Sequence, residues 1–364
     1  MKHKLKKLSA LGFVAIILVL SASGNALAEK TYSKVILISW DGAQSNHTNK
    51  LYETNQLPNL MDLRKNGGMN ILTYNGSGSV IYIVDHLTDT DSGHAQMLTG
   101  YGPDVTAIAK NSYNSIPDGL TIFERLPPNY TVGLISSRES AQGFQTNGHG
   151  FPTITFKNAS REIDHWWDAS KISWGSKGIL YEALQHNITE YVQQVTAEAT
   201  SDQVTNWIDI NKDTNFFLFV HLGEPDTAGH FFGENSIEYN NGIIASDIAT
   251  GKIVKKLKDL KIYDKTSIIV TTDHGFKEND FNHTSLPYPV ELSQYTNLAD
   301  PDCYKIWMVS NTIKGDRIGY QNDIAPTIYG LFGIDYTKFK PSFNTSILGK
   351  YQAKPIWDRP LKLK

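Results

Sequence analysis

Three short apolar runs in this chain each empty into an aspartate. Residues 34–40 (K-V-I-L-I-S-W) lead into Asp41, residues 216–222 (F-F-L-F-V-H-L) into Asp226, and residues 267–272 (S-I-I-V-T-T) into Asp273. A fourth run, 130–136 (Y-T-V-G-L-I-S), has the same make-up. Continuous apolar runs of this length are the pattern of strands covered on both faces, as in parallel sheets. Helical patterns lie between them. Residues 236–260 carry Ile237, Ile244, Ile248 and Leu257, with Lys255, Lys256 and Lys258 near the end, where the helix dipole is negative. Residues 177–199 form a second helix candidate. The expected fold is α/β, with a mostly parallel central sheet flanked by helices on both faces.

Parallel strands bring their C-terminal ends to one edge, which is where open α/β sheets bind ligands. Three carboxylates gathered there repel one another unless a cation sits among them. Histidines accompany them. Asp226 and His230 are four residues apart, so a helical turn puts both on one face. His274 follows Asp273 directly, and His283 comes ten residues after Asp273. Each taken alone has an ordinary reading as a solvated turn or a loop histidine. Together Asp41, Asp226, His230, Asp273, His274 and His283 form a mixed imidazole and carboxylate set, which suits Zn²⁺ or Mn²⁺ better than Ca²⁺ or Mg²⁺. Six ligands are too many for one tetrahedral zinc and fit two ions about 4 Å apart.

Two such ions need a reaction. Residues 85–100 (D-H-L-T-D-T-D-S-G-H-A-Q-M-L-T-G) offer hydroxyls at Thr88, Thr90 and Ser92 ahead of a helical stretch. A hydroxyl beside a divalent cation loses its proton more easily and becomes a nucleophile. A helix N-terminus adds N–H donors for an anion. The same cluster is also what an ordinary N-cap looks like.

The N-terminus reads as a leader. Residues 1–7 are basic, 8–20 almost wholly apolar, and small residues follow to Ala26-Leu27-Ala28. This is the layout of a secretory signal peptide over 1–28, cut after Ala28. The apolar run is short of the ~20 residues a membrane span needs; a retained anchor is the alternative. The expectation is a secreted or periplasmic protein with no span after cleavage. Residues 29–364 would form one catalytic domain, with a cap insertion at about 138–175, where polar, glycine and aromatic residues gather (H-W-W-D-A-S-K-I-S-W-G at 165–175). A single cysteine, Cys303, excludes an internal disulfide framework. A formal net charge of −3 gives no nucleic-acid-binding signal.

From about Lys34 to Gly333 the chain resembles the alkaline phosphatase superfamily, nearest its type I phosphodiesterase/nucleotide pyrophosphatase branch. The opening strand with Asp41-Gly42, the P-N-L of residues 58–60, E-P-D-T-A-G-H at 224–230, T-D-H-G at 272–275 and D-I-A-P-T at 323–327 match its motifs in order. Thr90, His94, Thr99 and Gly100 fit the spacing of its nucleophile segment, and Thr88 and Ser92 do not. Asn111 fits its oxyanion-binding asparagine. The resemblance implies that Asp41, Thr90, Asp273 and His274 bind one metal and that Asp226, His230 and His283 bind the other. His283 follows the D-H-G motif much sooner than in nucleotide pyrophosphatases, as in other bacterial members. Asp89 and Asp91, flanking Thr90, also depart from the pattern; such neighbours disfavour dianionic substrates or engage a metal. His94 is read as structural.

The implied activity is an exported two-metal phosphoester hydrolase that works through a phospho-threonine intermediate on a small-molecule phosphoester. A phosphomonoesterase is an alternative, with Arg138 reaching the same edge to hold a dianion. A sulfatase is another, although position 90 is not the Cys or Ser of a sulfatase signature. Trp166, Trp167 and Trp174 would stack a substrate group or pack the insertion. The rival from another class is a metal- or ligand-binding protein that kept the fold and lost catalysis. Oligomeric state is not fixed by the sequence.

Overall fold

The computed structural model describes residues 31–67, 80–111, 116–117, 119–136, 154–157, 190–193, 196–288, 299–314, 317–343 and 352–359, with 154–157 and 190–193 described by backbone only. Residues 1–28, expected above to be a leader, lie outside them, as do Arg138, Trp166, Trp167 and Trp174.

Ten strands are described: β1 (Lys34–Trp40), β2 (Val80–Tyr82), β3 (Tyr130–Ser136), β4 (Ile154–Lys157), β5 (Glu190–Gln193), β6 (Asn215–Leu222), β7 (Thr266–Thr271), β8 (Lys305–Ile306), β9 (Met308–Ser310) and β10 (Ile318–Tyr320). Seven make the main sheet, in the order β4-β5-β3-β6-β1-β7-β9. The inner strands β5, β3, β6, β1 and β7 pair in parallel, and the edge strands β4 and β9 run antiparallel. All four apolar runs of the sequence are therefore central and adjacent. β2, β8 and β10 form a small second sheet.

The longer helices are α1 (Ser45–Glu53), α2 (Pro58–Gly67), α3 (Thr90–Thr99), α4 (Ala197–Asn211), α5 (Glu224–Phe232), α6 (Ile237–Asp259) and α7 (Ile324–Leu331). Alternation along β1 assigns them to faces. Val35 and Leu37 pack in one core with Met97 and Leu98 of α3 and Ile328 of α7. Ile36, Ile38 and Trp40 pack in the other with Leu51 of α1, Leu60 of α2, Trp207 of α4 and Ile243 of α6. Both faces are covered, which is why these strands carry no polar alternation.

Two helix readings change. α6 follows the expected span, and Ser236 caps it by accepting from Tyr239 N–H. Its buried face, however, is set by Tyr239, Ile243, Ser246, Thr250, Ile253 and Leu257 at helical spacing, while Ile237 and Ile248 are exposed. The candidate at 177–199 is corrected at its C-terminal end, and its residues 177–189 lie outside the described residues. Residues Glu190–Gln193 are strand β5, hydrogen-bonded between β3 and β4, and the helix begins at Ala197. Thr196 makes the boundary, because its hydroxyl caps α4 by accepting from Ala199 N–H. Within the segment read as a cap, the I-T-F-K stretch at 154–157 is the edge strand β4.

The D-I-A-P-T motif is a structural clamp. Both oxygens of the buried Asp323 accept from Arg359, at 2.6 and 2.7 Å, and also from the Tyr320 and Lys354 amides. Asp323→Ala leaves the half-buried guanidinium without its bidentate partner. A loss of about 3–5 kcal/mol is expected, read as a lower urea midpoint; an unchanged midpoint would contradict the clamp. Cys303 is buried, and burial holds its thiol above the ordinary range, which makes it unreactive.

Candidate metal and phosphoryl-transfer site

β1, β6 and β7 are neighbours, so the segments after them meet. Asp41 N–H donates to Leu222 O at 2.9 Å, and Asp226 N–H donates to Asp41 O at 3.0 Å, stitching the ends of β1 and β6 together. Gly42 N–H donates to Asp273 Oδ1 at 3.0 Å and ties in β7. Gly42 has φ +68°, and a Cβ there would lie 2.8 Å from the Phe276 ring and 3.0 Å from Asp226 Cα. Only glycine allows this approach. α3 approaches as closely, since a Cβ on Gly93 would come within 2.7 Å of Asp273 O. That contact places the first turn of α3, with Thr90, against the end of β7.

The convergence expected from the sequence is present. One ligand atom each from Asp41, Asp273 and His274 lies within 4.8 Å of the others, and the same holds for Asp226, His230 and His283. His274 Nε2 joins the two groups, 3.4 Å from Asp41 Oδ1, 3.3 Å from Asp273 Oδ2 and 4.0 Å from Asp226 Oδ1. The rings of His274 and His283 stack at 3.7 Å.

The hydrogen bonds orient these groups. His274 Nδ1 faces Gly275 O at 3.0 Å, His230 Nδ1 faces Phe281 O at 2.8 Å, and His283 Nδ1 faces Thr88 O at 2.7 Å. A carbonyl only accepts, so each Nδ1 carries a proton and each ring turns its Nε2 toward the carboxylates. Metal-ligating histidines are fixed in this way. Asp226 Oδ1 and Asp273 Oδ2 are buried and receive no hydrogen bond. Buried carboxylate oxygens without donors are costly, and a cation removes the cost. Burial, then the Asp41 charge, pushes the Asp273 carboxyl well above the ordinary range. Burial and the neighbouring His274 push His283 down to about 3. Burial also opposes a charge on His230, but Asp226 outweighs it and raises that group to about 9. The donor set therefore fits divalent cations of the Zn²⁺ or Mn²⁺ type in both groups.

Three hydroxyls were candidates, and their surroundings separate them. Thr88 Oγ1 donates to His283 O at 2.6 Å, and Ser92 Oγ donates to Leu87 O at 2.8 Å. Both are spent on backbone carbonyls. Thr90 Oγ1 lies 3.2 Å from His274 Nε2 and so faces the candidate ligand atoms. Asn111 Oδ1 accepts from Asp91 N–H at 2.9 Å, which leaves its NH₂ as the donor side. The Asp91 amide is occupied by this bond and is not an oxyanion donor. Asp89 does not turn toward an ion. Its Oδ2 accepts from Asn111 N–H at 3.1 Å and its Oδ1 from the Thr284 hydroxyl at 2.6 Å, clasping the turn before Thr90 to two loops.

His221 was missed by sequence reasoning. It sits in register with Ser39 and Ser136 across β1, β6 and β3. Its Nε2 lies 2.7 Å from Asp41 Oδ2, and its Nδ1 lies 2.9 Å from Ser136 Oγ. The carboxylate only accepts, so Nε2–H donates to Asp41 and the Ser136 hydroxyl donates to Nδ1. The available signal was a lone histidine inside an apolar strand. His94 is engaged by Thr90 O at 2.8 Å and Ser39 Oγ at 2.9 Å, beneath the site.

A family model described as type I phosphodiesterase / nucleotide pyrophosphatase matches residues 35–321. The chain belongs to this family. Among curated relatives, a bis(5'-adenosyl)-triphosphatase of Mus musculus is 25% identical over 234 residues, covering 58% of this chain and 49% of that protein. Venom phosphodiesterase 2 of Crotalus adamanteus is 24% identical over 248 residues, covering 68% of this chain and 27% of that one. The chain thus spans about half or less of the length of these relatives. Among solved structures, murine ectonucleotide pyrophosphatase/phosphodiesterase 5 superposes with a TM-score of 0.50 at 14% identity, over 83% of this chain and 95% of that one. A protein in the alkaline phosphatase superfamily from Vibrio parahaemolyticus gives 0.50 at 17% identity, over 84% and 68%. At these identities the superpositions establish the alkaline phosphatase-like fold. The family is metal-dependent, in keeping with the two ligand groups.

Proposed function

We propose that this member of the family is a two-metal phosphodiesterase whose nucleophile is Thr90. The observation that carries the reading is the position of Thr90 Oγ1, 3.2 Å from His274 Nε2, where the other nearby hydroxyls are bonded away. Asp41, Asp273 and His274, with Thr90, would hold one divalent ion, and Asp226, His230 and His283 the other. Zn²⁺ or Mn²⁺ there would supply Lewis acidity, lowering the pKa of the Thr90 hydroxyl and offsetting charge on the phosphoryl and leaving oxygens.

Thr90 Oγ attacks phosphorus, the bond to the leaving alkoxide breaks, and a phospho-threonine diester forms. Water then cleaves that ester, returning the hydroxyl to Thr90 and releasing a phosphomonoester. The Asn111 NH₂ group, left as the donor side by the Asp91 N–H bond to its oxygen, would donate to a non-bridging oxygen. The His221 bond to Asp41 holds that carboxylate in one orientation. The family description, type I phosphodiesterase / nucleotide pyrophosphatase, supports a diester monoanion over a monoester dianion. Nucleotide substrates are in keeping with the activities of the relatives named above.

No helix among the described residues is long and apolar enough to cross a membrane. Export rests on the leader-like residues 1–28. The test of the reaction is hydrolysis of aryl phosphate diester, monoester and sulfate by the full chain with Zn²⁺ or Mn²⁺. The diester is expected to turn over fastest. A faster monoester would overturn the diesterase reading, and no hydrolysis of any with ions bound would favour a binding protein.

A further inference from the structure

A second kind of place in the molecule repeats the logic of the two ligand groups. His47 of α1 has Nδ1 2.8 Å from Asn240 Oδ1, so Nδ1–H donates there and the ring is held with Nε2 turned away from that partner. Nε2 faces Glu234 Oε1. Glu234 is fully buried; its Oε2 accepts from Asn279 N–H at 3.1 Å, while Oε1 receives no hydrogen bond. Glu278 enters from the next loop, its Oε1 accepting from Asn235 Nδ2 at 3.0 Å. One ligand atom from each of the three lies within 4.8 Å of the other two. A ring oriented through Nδ1 and an undonated buried carboxylate oxygen are what mark the two groups at the strand ends.

We propose that His47, Glu234 and Glu278 bind a third divalent cation, distinct from the two at the phosphoryl-transfer site. One imidazole and two carboxylates suit Zn²⁺ or Mn²⁺. Glu278 is exposed, which gives the ion a path in from solvent. The placement gives the ion a structural task. Glu234 comes four residues after His230, and Glu278 five before His283. Glu234 N–H also donates to Asp280 O at 3.0 Å. An ion held here ties α1 to the turn after α5 and to the 277–283 loop, and so fixes the loop that presents His283.

The competing arrangement is an imidazolium–carboxylate pair with no ion. Burial disfavours a charge on His47, but its close contact with the Glu234 carboxylate and its partner Asn240 raise it above the ordinary value. Anomalous diffraction at the Zn and Mn edges, on crystals of the full chain grown with each ion, separates the two. The expected result is an anomalous peak between His47, Glu234 and Glu278, besides any at the phosphoryl-transfer site. His47→Gln and the milder surface change Glu278→Gln should each abolish that peak and lower the ion count in solution by one equivalent per chain. No peak at these residues with both ions supplied, or a peak and count unmoved in both variants, would overturn the proposal. Peaks at the strand-end groups are scored separately, so failure of either site leaves the other readable.

Discussion

Thr90→Ala is expected to fold, to keep the ions of the parent chain, and to lose about four orders of magnitude or more in kcat toward a diester. Removing a catalytic nucleophile typically costs on this scale, and what remains comes from binding and electrostatics. The fold should tolerate the change. Thr90 begins α3, where its side chain caps nothing, and alanine is a good helix former. No neighbour can take over. Thr88 links the 283–285 loop through Oγ1, which also accepts from Ser285 N–H at 2.8 Å, and Ser92 is bonded to Leu87 O and Asp89 O. Thr90→Ser keeps the hydroxyl and should retain much of the rate. Equal, near-parental kcat in both variants would mean that the nucleophile is elsewhere. Equal loss in both, with ions gone, would mean that Thr90 serves the ligand shell rather than the chemistry.

How legible the site was in the sequence depends on what each residue answers to. Asp41, Asp226 and Asp273 could be read because strand direction alone brings strand ends together, and a parallel sheet needs only apolar runs to announce itself. His230 followed from helical spacing. The choice among Thr88, Thr90 and Ser92 could not be made from local letters, since all three suit a helix start. Tertiary partners favour Thr90 for the proposed role: the carbonyls of His283 and Leu87 engage the other two. His221 shows the same limit from the other side. Its role comes from register with Ser39 and Ser136 on two strands distant in sequence. Strand β5 was misread because a strand of four residues is too short to show a period against a helical background. Ile237 and Ile248 were misread because the buried face of α6 includes Gly242, Ser246, Asp247 and Thr250, so apolarity marked the wrong stripe. Asp247 sits on that face because it accepts from the Asn59 and Leu60 amides at the start of α2.

Asp273→Asn should change the stability of the ion-free and ion-bound protein differently, which no purely structural role for this carboxylate predicts. Asp273 Oδ1 accepts from Gly42 N–H and His274 N–H, each at 3.0 Å, and an asparagine carbonyl can keep both bonds. Oδ2 receives none and lies 3.3 Å from His274 Nε2. With no ion bound, burial and then Asp41 already press this carboxyl toward its neutral form, so an amide replaces a group held close to neutrality. In chelator the variant should therefore melt no lower than the parent. With Zn²⁺ or Mn²⁺ at about a hundred times the dissociation constant, the parent gains about 3 kcal/mol, roughly 5–10 °C in Tm. The variant should gain much less, because a ligand has been lost and its amide presents N–H to the ion. Loss of an outer-shell partner alone lowers metal affinity about 10–100-fold, and loss of a ligand should exceed that. Activity at saturating diester should fall by about three orders of magnitude, since the nucleophile keeps its place but not the field that ionises it. A variant that melts several degrees below the parent in chelator, yet gains as much from the ion, would make Asp273 a scaffold carboxylate and remove it from the ligand set.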